Sequence, residues 1–281
     1  MNDKKVIKYI DLFCGIGSFH YSFKKFNFKC IMACDIYKAA CNTYKLNFNQ
    51  EPLGNICDID PETLDEYDIL CAGFPCQPFS QAGKKKGFDD KRGTMFSQVM
   101  KFIKINEPRI IILENVQGLV NHDKGKTFSS IKKELDNHGY NIIYKVLKCS
   151  DYGIPQMRKR LFIIGFKNIE INDIDNFFDL NIYKKNVTLS EFLEKDFEKE
   201  HAYTIRCGGR NSPIDDRHNW DGYWIDKKEY RLTINDGLKL QGFSNFKLTG
   251  SNTEKWKLLG NTIPTIFTEI IAKQLIKHCS L

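Results

Sequence analysis

The stretch VIKYIDLFCGIGSFHYSFKKF, residues 6–26, decides the fold of this chain. Its first part, VIKYIDLF, is a short apolar run that predicts a strand. Gly15 and Gly17 then allow a tight strand-to-helix turn and let a ligand come close to the backbone. SFHYSFKKF carries aromatic residues at near-helical spacing and predicts a helix. A strand, a glycine turn and a helix in this order open an α/β fold.

The same rhythm continues along the first half of the chain. KCIMACD, YDILCAGF and RIIILENV predict three more strands, and IYKAACNTYKLNF and TMFSQVMKFIKIN predict helices between them. YDILCAGF and RIIILENV are almost continuously apolar, as expected for strands that are covered on both faces. NIIYKVLKCS and RLFIIGF add two further strands. The pattern predicts a doubly wound, mostly parallel sheet wrapped by helices.

The second half of the chain has a different character. Residues 168–200 are polar and acidic, and residues 201–230 are rich in glycine, arginine and tryptophan. We therefore predict a smaller, irregular domain over residues 181–255, beside a larger domain that comprises residues 1–180 and 256–281. The last stretch, GNTIPTIFTEIIAKQLIKHCSL, predicts an amphipathic helix that returns to the larger domain.

Composition limits the classes of function. The chain has 281 residues and a formal net charge of +7, which suits a polyanionic partner, although a lysine-rich surface gives the same charge. Its ten cysteines form no C-x-x-C pair, so we expect no metal site. We expect no signal peptide, and no apolar run approaches the roughly 20 residues of a membrane span. We expect a cytoplasmic protein, or a nuclear one in a eukaryotic source.

The glycine turn predicts a nucleotide-like ligand. Asp35 ends the second predicted strand and can accept hydrogen bonds from both hydroxyls of a ribose. A dinucleotide would fit, but the turn lacks the full G-x-G-x-x-G pattern. S-adenosylmethionine fits as well, because its carboxylate can sit at the helix N-terminus. A plain tight turn without a ligand stays open at this point.

Three kinds of reactive side chain follow the ends of predicted strands. Cys76 follows YDILCAGF, Glu114 closes RIIILENV, and Arg158 and Arg160 precede RLFIIGF. Because loops at the carboxyl edge of a parallel sheet build ligand sites, these groups can converge on one pocket. A thiolate is a nucleophile, nearby arginines favour its ionisation, and a carboxyl can bind or protonate a ring nitrogen.

These motifs, taken together, resemble those of the DNA (cytosine-5)-methyltransferases of bacterial restriction–modification systems. DLFCGIGSF, GFPCQPFS, ENV, QMRKR, RLTINDGLKLQGF and GNTIP occur in the order and spacing of that family. The resemblance implies a Rossmann-like methyltransferase fold and transfer of a methyl group from S-adenosyl-L-methionine to C5 of cytosine in double-stranded DNA. It also implies that the smaller domain reads a short site, that the protein is a monomer, and that a cognate restriction endonuclease is its functional partner unless it is an orphan.

The resemblance assigns a role to each catalytic position. Cys76 would attack C6 of the cytosine, and Glu114 would hold the amino group and N3 of the base. Arg160 would contact O2, with Arg158 supporting the pocket. The base would have to leave the duplex, because thiol and methyl donor approach its opposite faces. The segment GKKKGFDDKRG, with Gly83, Gly87 and Gly93, would form a closing loop.

The resemblance also carries over residues for the two ligands. The implied cofactor-binding residues are Phe13, Gly15, Ile16, Gly17, Ser18, Asp35, Ile36, Asn55, Ile56, Pro75, Met95, Asn261 and Thr262. The implied DNA-binding residues are Gln77, Ser80, Lys84, Arg92, Thr204, Arg206, Gly208, Gly209 and Arg210. Among the latter, Arg206 or Arg210 would contact a base, since arginine forks favour guanine. A phosphate contact or a plain surface charge stays open for each of them.

Some positions depart from the family pattern. Asn55 stands where aspartate is usual, which predicts weaker adenine binding, with Asp58 as a substitute acceptor. Asp236 and Lys239 stand where glutamate and arginine are usual, which predicts looser docking of the two domains. A tRNA-methylating branch of the family is a rival, but its CFT tripeptide is missing here. A catalytically dead DNA-binding regulator is a second rival, and Cys76, Glu114 and Arg160 argue against it.

Overall fold

The structure is a computed structural model that describes residues 6–75, 95–178 and 186–279. In these ranges the strands are β1 (Ile7–Leu12), β2 (Phe28–Cys34), β3 (Ile69–Ala72), β4 (Ile110–Val116), β5 (Asn141–Lys148), β6 (Lys159–Phe166), β7 (Gly222–Ile225) and β8 (Lys228–Arg231). The α-helices are α1 (Ser18–Phe23), α2 (Lys38–Phe48), α3 (Met95–Asn106), α4 (Lys126–Asn137), α5 (Leu189–Leu193), α6 (Ile234–Leu240), α7 (Asn252–Asn261) and α8 (Thr265–His278).

Six of these strands form one sheet in the order β2-β1-β3-β4-β6-β5. β1 pairs in parallel with β2 and β3, and β3 pairs in parallel with β4. β6 runs antiparallel to both β4 and β5. The predicted mostly parallel sheet is confirmed, and the reversal of β6 brings its first residues to the edge at which β1, β3 and β4 end.

Helices cover both faces of this sheet, as a doubly wound fold requires. Side chains alternate along each strand, so Tyr9 and Ile10 of β1 enter different cores. The core on the Tyr9 face includes Phe267 of α8, and the core on the Ile10 face includes Val99 of α3. The residues of β3 are fully buried, which matches the continuous apolar run in the sequence.

Two of the differences between the observed and the predicted helices concern α1 and α4. The helix predicted over residues 18–26 is α-helical only to Phe23, and a 3-10 turn then leads to Asn27, whose φ is 61°. Helix α4 is absent from the predicted elements. Its buried side chains Phe128, Ile131 and Leu135 recur at helical spacing, so the periodic signal is present in the sequence.

The described residues between 186 and 251 contain little regular structure. They hold α5, α6 and the β7–β8 hairpin. Leu189, Ala202 and Trp220 belong to the same hydrophobic core as Phe267 of α8. The irregular region therefore packs onto the α8 face of the sheet, and its boundaries at 181 and 255 stay a prediction. None of the helices in the described ranges is both long and apolar enough to cross a membrane.

Candidate active site

An ion pair between β4 and β6 lies at the carboxyl edge of the sheet. Oε1 of Glu114 is 2.9 Å from Nε of Arg160, and both side chains are largely buried. Burial raises the pKa of Glu114, while Arg160 and Arg158 act in the opposite direction. The carboxyl is therefore easier to protonate than a free glutamate, which suits a group that both accepts and gives a proton.

The segment that leads to Cys76 is tied to the end of β4. Nδ2 of Asn115 donates a hydrogen bond of 2.9 Å to the carbonyl oxygen of Phe74. A Cβ at Gly73 would lie 3.3 Å from Oε2 of Glu114, so the backbone passes close to this carboxyl. Cys76 comes two residues after Phe74, but it lies outside the described residues.

The glycine turn has the tight backbone that its sequence predicts. Phe13, Gly15 and Gly17 have φ values of 60°, 55° and 89°, so the left-handed region is entered three times in five residues. The backbone amide of Gly15 donates a 2.9 Å hydrogen bond to Oδ2 of Asp35, and that of Tyr37 donates a 2.7 Å bond to Oδ1. Asp35, the residue that follows β2, thus holds the glycine turn in place.

One pocket connects this turn with Glu114. Its lining includes Glu114 and Gly73, together with six predicted cofactor residues: Phe13, Gly15, Ile16, Ser18, Asn261 and Thr262. The hydroxyl of Ser18 donates a 2.6 Å hydrogen bond to the carbonyl oxygen of Ile263, which joins α1 to the GNTIP segment. The C-terminal segment thus contacts the helix that follows β1, in agreement with its predicted return to the start of the chain.

Asp11, which is not among the predicted site residues, lines the same pocket. Asp11 is 1% exposed, and its Oδ2 atom has no hydrogen-bond partner among the described residues. Burial, and then the charge of Asp35, raise the pKa of Asp11 well above its ordinary value. An acidic residue directly before the glycine turn was the available signal, but it lay inside an apolar strand pattern.

A model of the family described as C-5 cytosine-specific DNA methylase matches residues 7–219. The chain belongs to this family. The methylase is 37% identical to Type II methyltransferase M.HhaI of Haemophilus parahaemolyticus, with 97% of this chain and 95% of that protein covered. It is 33% identical to Type II methyltransferase M.DsaV of Dactylococcopsis salina, with 99% and 88% covered.

Solved structures agree with the methylase in fold. S. pombe Dnmt2 methyltransferase has a TM-score of 0.70 at 22% identity, covering 96% of this chain and 99% of that chain. A putative DNA modification methyltransferase encoded within an E. coli prophage has a TM-score of 0.74 at 19% identity, with the same coverage. The predicted Rossmann-like fold and DNA (cytosine-5)-methyltransferase activity are both confirmed by the family, and DNA is the substrate.

Other predicted cofactor residues of the methylase lie outside the lining of this pocket. Ile36 follows Asp35 and is 77% exposed, Ile56 is buried, and Pro75 and Met95 border the undescribed segment. The side chain of Asn55 accepts a 3.1 Å hydrogen bond from the backbone amide of Cys57, so its oxygen caps a 3-10 turn. Its predicted contact with adenine stays a prediction.

The two arginines of QMRKR contact different partners in the methylase. Arg160 contacts Glu114, whereas Arg158 is 1% exposed and donates hydrogen bonds to three backbone carbonyls. Arg158 therefore holds the backbone around the site.

The structure also distinguishes the two arginines predicted to read DNA. Arg206 is exposed and makes no hydrogen bond or ion pair within the described residues. Nε of Arg210 lies 3.3 Å from Oδ2 of the fully buried Asp221, and its guanidinium lies 5.0 Å from the ring of Trp256. Arg206 is thus available to a ligand, while Arg210 is engaged inside the protein. Thr204 is half-buried, and Gly208 and Gly209 are exposed.

Several predicted residues lie outside the described ranges of the methylase. They are Cys76, Gln77, Ser80, Lys84 and Arg92, together with the loop glycines Gly83, Gly87 and Gly93. Within the described ranges, His, Cys, Asp and Glu form no group that could hold a metal ion. Asp236, one of the unusual positions, is buried and closes a capping box with Thr233 at the start of α6.

Proposed function

We propose that this methylase transfers the methyl group of S-adenosyl-L-methionine to C5 of a cytosine flipped out of duplex DNA. The observation that supports this most directly is that the glycine turn and Glu114 line the same pocket. A cofactor at the turn and a base at Glu114 would share one continuous space. When bound there, the cofactor supplies the methyl group.

The pocket lining fits a cationic cofactor better than a pyrophosphate. Asp11 and Glu114 bring two carboxyl groups to it, and its lining within the described chain includes neither lysine nor arginine. The unpartnered Oδ2 atom of Asp11 can accept a hydrogen bond from an ammonium group, whose charge would favour the ionised carboxylate. The phosphates of a dinucleotide would instead meet carboxylates at close range.

The remaining chemistry belongs to protein side chains and the base. The thiolate of Cys76 adds to C6 and pushes an electron pair to C5, which then accepts the methyl group. Loss of the C5 proton returns that pair to the ring and expels the thiolate. Glu114 holds N3 and the amino group, and it shares a proton with N3 as negative charge develops there. Arg160 holds Glu114 and contacts O2 of the base.

The wider setting is also part of this proposal. Residues 181–255 form the target-recognition domain, in which residues 204–210 approach the DNA. The protein acts as a monomer on chromosomal DNA in the cytoplasm, as one half of a restriction–modification pair or as an orphan methylase. The naming of its relatives as Type II methyltransferases supports the pairing with a cognate endonuclease.

The test measures tritium transfer from labelled S-adenosylmethionine to plasmid DNA. Cys76→Ala is expected to abolish transfer and to keep most of the affinity for S-adenosylhomocysteine, whereas Cys57→Ala is the matched control with wild-type transfer. Cys57 is exposed and does not line the pocket. Bisulfite sequencing of DNA from an expressing host then identifies the methylated site.

Two results would contradict the proposal. Persistent transfer by Cys76→Ala would remove the nucleophile assignment. Transfer to tRNA in place of DNA would show that the RNA-methylating branch of the family is the better assignment. The same labelled donor and enzyme stock serve both acceptors, so only the nucleic acid differs between the two measurements.

A further inference from the structure

The residues just before β6 lie close to the start of residues 204–210, which we call the DNA-approaching segment. The amide of Met157 donates a 2.8 Å hydrogen bond to the carbonyl oxygen of Ala202, and the amide of Ala202 donates a 2.7 Å bond to that of Pro155. These bonds form a short parallel bridge. The QMRKR motif is therefore in direct backbone contact with Ala202, four residues before Arg206.

Two buried side chains of the motif extend this contact. Oε1 of Gln156 accepts a 3.2 Å hydrogen bond from the amide of Ile205, and its Nε2 donates to the carbonyl oxygen of Leu240 at 2.8 Å. A guanidinium nitrogen of Arg158 donates to the carbonyl oxygen of Ile205 at 3.0 Å. The peptide groups on both sides of Ile205 are thus held by Gln156 and Arg158.

Arg158 also binds the cofactor side of the structure. Its second terminal nitrogen donates to the carbonyl oxygens of Gly260 and Thr262, at 2.8 and 2.7 Å. Thr262 lines the pocket beside the glycine turn. One guanidinium therefore joins the DNA-approaching segment, through Ile205, to a wall of the cofactor pocket.

The two segments joined by Arg158 are in close contact with each other. A Cβ at Gly260 would lie 2.5 Å from the carbonyl carbon of Arg206 and 2.6 Å from the amide nitrogen of Cys207, closer than any side chain tolerates. Sγ of Cys207 donates a 2.7 Å hydrogen bond to Oδ1 of Asn261. Residues 205–207 and 260–262 therefore cannot shift independently without breaking these contacts.

The buried position of Arg158 is energetically unfavourable for its positive charge, which is not expected of a residue with a purely structural role. Burial, and then the neighbouring Arg160, lower the pKa of Arg158 to about 9, which shows how unfavourable this environment is for a cation. The hydrogen-bond acceptors of Arg158 in the described residues are neutral carbonyls. A planar fork can bind carbonyls in several directions at once, which a lysine ammonium on a flexible stem does less well.

We propose that Gln156 and Arg158 are positioning residues that couple DNA binding to cofactor binding. They fix residues 204–210 relative to the turn at residues 260–262, so that a ligand on either side stabilises the same junction. Such coupling is reciprocal, because each ligand must change the affinity of the other by the same factor. The inference rests on the proposed function, which assigns residues 204–210 to DNA and Thr262 to the cofactor.

The experiment measures binding of S-adenosylhomocysteine by calorimetry, with and without saturating duplex that carries the site found by bisulfite sequencing. The variants are Arg158→Lys, which keeps a cation, and Gln156→Met, which keeps the side-chain length without its hydrogen bonds. Arg109→Lys is the matched control, since Arg109 precedes β4 at the opposite edge of the sheet. Circular dichroism and thermal melting establish that each variant is folded.

In the wild type, DNA is expected to tighten S-adenosylhomocysteine binding by about 5-fold or more. In Arg158→Lys and Gln156→Met this factor should fall to within about 2-fold of unity, and KM for DNA should rise by more than kcat falls. Arg109→Lys should retain the wild-type factor.

Folded variants with the wild-type coupling factor would overturn the inference. A loss confined to kcat, with KM for DNA unchanged, would also overturn it, because it would indicate action at the reacting atoms. Failure of the wild type to methylate DNA would overturn the proposed function and the inference together. The wild-type measurement therefore tests the function, and the ratio of variant to wild type tests the positioning role.

Discussion

Glu114 and Arg160 meet across two strands that run in opposite directions, with 2.9 Å between Oε1 and Nε. Arg160 is paired in register with Val116, two residues beyond Glu114 on β4. Because side chains alternate along a strand, a slip of one residue would turn the guanidinium to the other face of the sheet. The reversal of β6 is thus the structural reason why this arginine reaches this carboxyl.

Glu114→Gln is expected to lower kcat by about 100- to 10,000-fold, since the amide cannot share a proton with N3 of the base. Burial raises the pKa of Glu114 above its ordinary value, so its protonated fraction declines as pH increases through that raised pKa. The part of the rate that depends on proton donation should decline over the same range. The measurement is a pH–rate profile of tritium transfer.

Glu134→Gln is the control for this substitution, because Glu134 is on the surface of α4 and pairs only with Lys104 among the described residues. Its profile should follow that of the wild type. If Glu114→Gln kept both the rate and the pH dependence, Glu114 would not be the group that contacts N3.

Asp35 predicts a pH dependence of cofactor affinity. Burial raises its pKa, and the amides of Tyr37 and Gly15 only partly oppose this effect. Protonation therefore begins at a higher pH than for a free aspartate and removes acceptor capacity that ribose hydroxyls need. Affinity for S-adenosylhomocysteine should fall as pH decreases through this raised pKa, and calorimetry at a series of pH values measures it.

Asp35→Asn should bind S-adenosylhomocysteine about 10-fold more weakly near neutral pH, the loss of roughly one hydrogen bond to a charged group. It should also lack the pH dependence. Asp65→Asn is the control, since Asp65 is exposed and does not line the pocket. An unchanged pH slope in Asp35→Asn would show that another group is responsible.

The two glycines of the turn should respond differently to alanine. At Gly15 a Cβ meets nothing within 4 Å, so Gly15→Ala should cost only the left-handed strain of about 1–2 kcal/mol. At Gly17 a Cβ would lie 2.4 Å from a ring carbon of Phe48 and 2.9 Å from Tyr44. Overpacking adds to the strain, so Gly17→Ala should cost about 2–5 kcal/mol.

Urea unfolding measures these differences, with Gly54→Ala as the control because Gly54 has open space around it and no positive φ. Gly15 also lines the pocket, so Gly15→Ala should weaken S-adenosylhomocysteine binding even though its loss of folding stability is small. Equal stability of Gly17→Ala and Gly54→Ala would mean that Tyr44 and Phe48 are not packed as described.

Much of the site could be predicted because the carboxyl edge of a parallel sheet collects the ends of its strands. Glu114 closes an apolar run and Gly15 follows another, so their convergence on one pocket follows from the fold class. The direction of β6 could not be predicted, because hydrophobic alternation looks the same for a parallel and an antiparallel strand.

Contacts between residues distant in sequence were also beyond prediction. Arg158 and Arg160 are two residues apart and suggest one shared pocket, yet Arg158 binds the carbonyls of Ile205 and Gly260. Those partners are brought beside it by the irregular region, whose path has no periodic signal. Asp11 was hidden for a different reason, since an acidic residue inside a strand pattern resembles an ordinary polar position.

Arg206 and Arg210 should respond differently to substitution by alanine. Arg206→Ala should change the free energy of unfolding by no more than about 0.5 kcal/mol, because the side chain is exposed and has no partner within the described residues. Arg210→Ala should lower it by about 1–3 kcal/mol, since Asp221 is fully buried and, among the described residues, would keep only Arg231 as a cationic partner.

For DNA binding the order should be reversed, with Arg206→Ala having the larger effect. Arg206→Ala should lose about 1–3 kcal/mol of binding free energy if Arg206 contacts a guanine edge, and bisulfite sequencing should show a relaxed site. If Arg206 contacts phosphate, the loss should be uniform across sequences and the salt dependence of binding should fall by about one ion. Arg206→Ala with wild-type affinity, site and salt dependence would exclude Arg206 from the interface and shift the reading role to other residues of the recognition region.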